Sequence, residues 1–233
     1  MDSTNNYATA AVHARMAQHG TVVFTQNQTA GRGQRNKQWA SEPGTNLTMS
    51  AVVEPAPLVL SEAFLLSMAV ACAAAQLLNT YVGDDVRIKW PNDLYWCDRK
   101  AGGILIENII QGVHWKAAVV GIGINVNQTL FSPDLSGRAV SIKQITGKLA
   151  QPLMLAKELC NHLEAALHKM HHQPEALRET YHSLLYKRDE AVQLRKGPVV
   201  FGATVKGVDE QGRLVVYNHT EQRFEVGEVE WVF

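Results

Sequence analysis

Cysteine is scarce in this sequence, and what there is does not pair by spacing. Cys72, Cys97 and Cys160 are the only three in 233 residues. An odd, scattered set without a CxxC argues against a disulfide scaffold and a thiolate metal site, and points to a reducing cytoplasm. Net charge is absent as well, since 22 Lys and Arg balance 22 Asp and Glu. A protein that grips nucleic acid across its whole surface is usually basic, so no nucleic-acid partner is expected and any anion site must be local. The opening MDSTNNYATA has no basic segment followed by an apolar run, so no signal peptide is expected. The most apolar stretch, 63–78, is Ala-rich and shorter than a bilayer span, which predicts a buried helix and no membrane partner.

What is present is the composition of a globular enzyme, with 46% apolar and 7% aromatic residues. Ala8, Ala11, Val12 and Met16 follow helical spacing, with Ser3 or Thr4 as cap and Gly20 beyond the end. A strand at 21–25 leads into a long polar loop, 26–46, and 47–53 returns to strand. Long loops in compact domains tend to be functional. Ser61 is a candidate cap for the apolar helix. VRIKW, LYW, GGILIENII and WKAAVVGIGINVN read as strands joined by short turns, which predicts a mixed or antiparallel sheet within an α+β fold. Helical spacing returns over 152–170 and 174–186. Beyond Asp189, short strands divided by Gly, Asp and Asn predict a small SH3-like β-barrel. The expected domains are therefore 1–186 and 187–233.

Four segments carry residue types suited to chemistry. In AGRGQRNKQW, Gly31 and Gly33 expose backbone amides beside Arg32, Arg35 and Lys37, a combination that favours phosphate or carboxylate. No GK[ST] follows, so this is not a phosphate-binding P-loop. KWPND sets Lys89, Asn92 and Asp93 around a proline turn. DRKAGGILIE places Lys100 just ahead of a glycine pair and a strand. GIGIN puts Gly121 and Gly123 in a β-run, where glycine marks a bulge or a close backbone approach. Each alone also reads as an ordinary turn or packed strand. His168, His171 and His172, next to Met170, read as a solvated helix end, not a metal site.

Taken in order, STN at 3–5, GRGxxxxxW at 31–39, KWPND at 89–93, DRKxxGIL from Asp98 and GxGxN at 121–125 resemble the biotin–protein ligase family, in its form without a DNA-binding domain. The resemblance runs through essentially the whole chain. It implies a class II synthetase-like catalytic domain that activates biotin with ATP and Mg²⁺ and passes it to a lysine of a biotin carboxyl carrier protein. It further implies that Ser3, Thr4 and Gln28 hydrogen-bond the ureido ring, that Gly31, Arg32 and Gly103 line the biotin pocket, that Gly121 and Gly123 bring the strand backbone flat against the ring or chain, and that Asn5 and Gly33 also belong to the binding set. Trp39, Asn92 and Asn125 fall on the nucleotide side, with Lys89 near the phosphates.

The catalytic set implied is Lys100, Asp93, Arg32 and Arg35. Lys100 is the central cation, because joining a carboxylate to a phosphate gathers negative charge in the transition state. Asp93 either accepts the proton of the attacking amine or caps its turn. Gln34 stands where many relatives carry a second arginine, and Arg35 is the neighbour able to replace it. A homodimer formed by sheet extension is also implied. Lipoate or octanoate attachment is the rival reaction, and a non-enzymatic biotin sensor the rival of another class.

Overall fold

A computed structural model describes residues 1–232, apart from the side chain of Asn36. The elements are α1 (Thr4–His13), β1 (Val22–Phe24), β2 (Leu47–Val53), α2 (Ala63–Val82), β3 (Val86–Lys89), β4 (Asp93–Trp96), β5 (Arg99–Gln111), β6 (His114–Ile124), α3 (Ile142–Thr146), α4 (Pro152–His172) and α5 (Pro174–Ser183), followed by β7 (Ala191–Lys196), β8 (Val199–Val208), β9 (Leu214–Asn218), β10 (Thr220–Phe224) and β11 (Glu230–Val232). Phe233, the last residue of the expected final strand, lies outside the described residues.

The first six strands form one sheet in the order β1-β2-β6-β5-β4-β3, with every neighbouring pair antiparallel. Strand side chains alternate between faces. On one face Met49, Ala51, Ile104, Ala118, Val120, Ile122 and Ile124 join the main core with α2. This helix is apolar on all sides, as a fully surrounded helix must be, and it packs against α4, α5 and β3. With its leading turn it is long and apolar enough to cross a membrane, yet two thirds of its most apolar stretch is buried in the fold, 67%. On the opposite face α1 covers only one end of the sheet, where Ala8 and Val12 meet Val23, Val52, Ile109 and Val119. The rest of that face is left for the site.

The last five strands form a second sheet in the order β10-β9-β8-β7-β11. The strands agree with the expectation of a small SH3-like module, and its sheet is not closed into a complete barrel. β10 and β11 are the two edges, because the three-residue β11 pairs with β7 and the turn at 225–229 passes between the edges without pairing. The expected caps also differ. Ser3 precedes α1 but its hydroxyl makes no capping bond. Instead Gln28 Oε1 accepts the Thr4 amide at 2.7 Å. Ser61 lies inside a 3-10 turn over Leu60–Glu62, where the Glu62 carboxylate accepts the Val59 amide at 3.0 Å. The short helix α3 had no periodic signal, and it is held by a reciprocal pair of bonds between Ser141 and Gln144.

The two sheets are joined through the core. Trp90, 2% exposed, donates its indole N–H to the Gly212 carbonyl at 2.8 Å. Gly212 has φ +84 and a β-carbon there would run into the Phe64 ring, so a side chain is both strained and obstructed. Trp90→Phe keeps one aromatic ring but removes the indole N–H, leaving a buried carbonyl without this donor and a small void. It is expected to cost about 1–3 kcal/mol in denaturant-induced unfolding, and an unchanged midpoint would count against this joint.

Candidate active site

The register sets out the site. Lys89 on β3 pairs with Asp93 on β4, Asp93 with Gly103 on β5, Gly103 with Gly123 on β6, and Gly123 with Thr48 on β2. Directly opposed residues of an antiparallel sheet share a face, so these five make one row across five strands. The next row on the same face contains Leu105, Gly121, Ser50 and Val23. Thus the GIGIN segment turns its isoleucines to the core and its glycines to the site.

A bulge brings Lys100 into this arrangement. Gly102 pairs with Leu94, but Tyr95 pairs with Lys100, so Ala101 is the extra residue. Lys100 and Gly103 are three apart and would point to opposite faces of a regular strand. The inserted residue puts them on the same one, a common use of bulges beside sites. Lys100 Nζ then lies 2.6 Å from Asp93 Oδ1, with both side chains about a quarter exposed, 29% and 24%.

Trp39 lies on the glycine row. A β-carbon on Gly123 would run into its indole ring, and one on Gly103 would meet the ring's Cζ3 at 3.4 Å. Lys100 Nζ stands 5.9 Å from the ring centroid. The loop that delivers Trp39 folds back on itself, with the Trp39 amide donating to the Gly31 carbonyl at 3.0 Å and the Gly33 amide to the Lys37 carbonyl at 2.7 Å. Gly31 is packed so closely on the Trp39 carbonyl and the Gln28 amide that no side chain fits.

The remaining predicted residues divide into three groups. Ser3, Thr4 and Asn5 are buried at the start of α1, where Thr4 also donates its hydroxyl to Gln28 Oε1 at 3.1 Å. Ser50, wholly buried, donates to Asn5 Oδ1 at 2.6 Å, and the Asn5 side chain covers Gly121. Asn92 and Asn125 are engaged with backbone: Asn92 donates to the Ile104 carbonyl at 2.5 Å, and Asn125 to the Lys100 and Val140 carbonyls at 3.3 and 3.2 Å. The latter bonds tether the 138–140 segment beside Lys100. Gln34 and Arg35 lie on a 3-10 turn in which Arg35 takes φ 56. The Arg35 guanidinium packs on Gly227, in the turn between β10 and β11.

Sequence reasoning missed Tyr95, Trp231 and Glu107. Lys89, 8% exposed, donates to Tyr95 Oη at 3.2 Å, and its ammonium lies 4.8 Å from the Tyr95 ring and 5.5 Å from the Trp231 ring. No motif signals Trp231, because it comes from the second sheet. Glu107 ends the DRKAGGILIE segment and reads there as a strand residue, yet its carboxylate meets Arg32 and Asn5. Among the described residues no group of three or more His, Cys, Asp or Glu could hold a metal ion.

Burial pushes the Lys89 ammonium down to about 8, with Asp93 opposing the shift and Lys100 and Lys37 adding to it. The folded chain therefore releases this proton near pH 8, whereas the unfolded chain holds it to about 10.5. The unfolded state binds more protons in between, so Lys89 is most destabilising at neutral pH and stability rises from pH 8 upward. Comparing unfolding free energies at pH 7 and 9.5, Lys89→Met is expected to flatten a rise on the order of 2 kcal/mol. Parallel curves for the two proteins would contradict the assignment.

With this geometry in place, comparison with known proteins is informative. Residues 1–125 match the biotin/lipoate A/B protein ligase family. The chain is 34% identical over 224 residues to the bifunctional ligase/repressor BirA of Salmonella typhimurium, covering 93% of this chain and 67% of that protein. It is 28% identical over 228 residues to the biotin–[acetyl-CoA-carboxylase] ligase of Paracoccus denitrificans, covering 92% of this chain and 90% of that one. Its fold resembles that of the biotin protein ligase from Aquifex aeolicus solved with biotin and ATP, with a TM-score of 0.81 at 24% identity over 99% of this chain and 95% of the other. On sequence and on fold, this chain belongs to the biotin/lipoate A/B protein ligase family.

Proposed function

We propose that this protein is a biotin–protein ligase that activates biotin with MgATP to biotinyl-5′-AMP, releases pyrophosphate, and transfers the biotinyl group to a lysine of a biotin carboxyl carrier protein. The observation that carries this reading is the convergence of three separate segments, KWPND, DRKAGG and GIGIN, on one row of the sheet beneath the Trp39 of the glycine loop. The bilinear arrangement of cations at one end of the row and bare backbone along its middle supports a flat apolar acid whose carboxylate reaches the cations.

In the first step a carboxylate oxygen bonds to the α-phosphorus and pyrophosphate leaves. Two anions must approach, and charge accumulates on phosphoryl oxygens. Lys100, aimed by the bulge and steadied by Asp93, is the fixed cation for that charge. Lys89 is the second cation on the same face, at the end of the row beside Asp93. Mg²⁺ enters with ATP as part of the substrate. It commonly keeps its waters and uses phosphates plus one or two carboxylates, which agrees with a site whose row contains the single carboxylate Asp93. In the second step the carrier lysine's amine bonds to the biotinyl carbonyl carbon and AMP leaves. Asp93 is the acceptor for the proton this amine must lose.

Glycines 121 and 123 are the residues that would let the ring and chain of biotin lie against the sheet, with Trp39 moving off or over the ligand. Residence in the cytoplasm and pairing of two copies through a sheet edge belong to the same reading. The edge strands of the first sheet are β1 and β3, and Ile88 on β3 already exchanges backbone hydrogen bonds with Leu184 and Tyr186.

The test is incorporation of labelled biotin into a biotin carrier domain with MgATP. Wild type is expected to label the carrier, and Lys100→Ala to lower the rate about 100- to 1000-fold. No labelling by wild type, with biotin binding intact, would replace the ligase reading with that of a sensor.

A further inference from the structure

Three segments of the site meet on the carboxylate of Glu107. Its place follows from register: it pairs with Val119 on β6, and it lies two and four residues along the same face from Leu105 and Gly103. Arg32 grips it with two prongs, NH2 to Oε1 at 2.8 Å and NH1 to Oε2 at 3.2 Å. Asn5 donates its side-chain N–H to Oε2 at 2.8 Å. Arg32 also donates to Asn6 Oδ1 at 2.9 Å, and Asn5 to the Leu105 carbonyl at 3.3 Å. One carboxylate thus ties the glycine loop and the start of α1 to β5.

The chemistry of the contacts calls for a carboxylate. Arg32 and Asn5 offer only donors towards it, and an ionised carboxylate accepts on both oxygens, whereas a glutamine would turn an NH₂ group towards one of them. Charge argues the same way. On a face whose other end holds Lys89 and Lys100, a lone carboxylate would repel an anionic ligand. Paired with Arg32 it adds no net charge, and the loop is held down in the same contact. The guanidinium of Arg32 is therefore committed to the clamp, and what the loop offers a ligand is its backbone.

We infer that Glu107 is a positioning residue, whose carboxylate holds the glycine loop through Arg32 and the start of α1 through Asn5, and so sets the affinity for the carboxylic acid substrate without touching the reacting atoms. The identity of that acid rests on the ligase reading, while the clamp rests on the contacts alone. The ion pair is half exposed, with side chains 47% and 29% accessible. Its breakage is therefore expected to loosen the loop without unfolding the chain.

The experiment has two arms on the full-length chain. In the first, without ligand, brief trypsin treatment is followed by mass spectrometry of cleavage after Arg35 and Lys37. Glu107→Gln is expected to speed cleavage there severalfold with little change elsewhere, and Arg32→Gln combined with Glu107→Gln to be no faster than Glu107→Gln alone. In the second, biotin-dependent pyrophosphate release is measured. KM for biotin is expected to rise about five- to tenfold in Glu107→Gln, more than kcat falls and more than KM for ATP changes, with Glu107→Asp intermediate. Unchanged loop cleavage overturns the clamp, as do additive effects of the two substitutions, since residues in one network are expected to be coupled. If wild type releases no biotin-dependent pyrophosphate, the ligase reading fails and the cleavage arm alone decides the clamp. Should Glu107→Gln not fold, Glu107→Asp carries both arms.

Discussion

A sheet face can accept a flat ligand only where few side chains project from it, and here three glycines of the two middle strands supply such a stretch. Gly121 and Gly123 on β6 and Gly103 on β5 project no side chain of their own, and Asn5 and Trp39 from other segments rest on Gly121 and Gly123. The residues between them, Ile122, Ile124 and Ile104, are buried on the opposite face in the core. The same few residues thereby fix the sheet by apolar burial and clear the site. A one-residue slip of register would exchange the two faces. Core packing against α2 is accordingly what keeps the glycines on the site face.

The charged end of the row depends on the same register with one deliberate break. Lys89 and Asp93 are opposed on β3 and β4, and the bulge at Ala101 brings Lys100 round to Asp93. Around this plane the start of α1 and the glycine loop are fastened by polar contacts, beside the small apolar cluster under α1. The start of α1 is fastened by Gln28, Ser50 and Glu107, and the glycine loop by Arg32 and by its own backbone bonds. Elements held this way open more easily than a packed core, which fits segments that must admit a ligand. The second sheet reaches the site at Lys89, where Trp231 and Tyr95 face the ammonium.

Much of this was legible in the sequence because strands with alternating burial and glycine-marked turns leave local signals. The strands of both sheets, the apolar helix and the long loop stand where composition and periodicity predict, and the four motifs lie in the segments that build the site face. What was not legible depends on contacts between distant parts of the chain. A bulge is invisible until the partner strand is known, so Lys100 could be singled out without the reason it points at Asp93. Glu107 looks like a polar strand residue until Arg32 and Asn5, 75 and 102 residues away, are seen to meet it. Trp231 belongs to a different sheet from the cation it faces. Whether the second sheet closes was not legible either, because strand spacing does not say which edges pair, and here the edges β10 and β11 do not.

The account stands on the claim that this face activates biotin as an adenylate. The most direct measurement is mass-spectrometric detection of the acyl-adenylate after mixing the protein with MgATP and biotin, lipoate or octanoate in parallel, with no carrier present. The account predicts accumulation of biotinyl-5′-AMP and little of the other two adenylates. Preferential formation of lipoyl- or octanoyl-adenylate, or no adenylate from a protein that binds biotin, would contradict it.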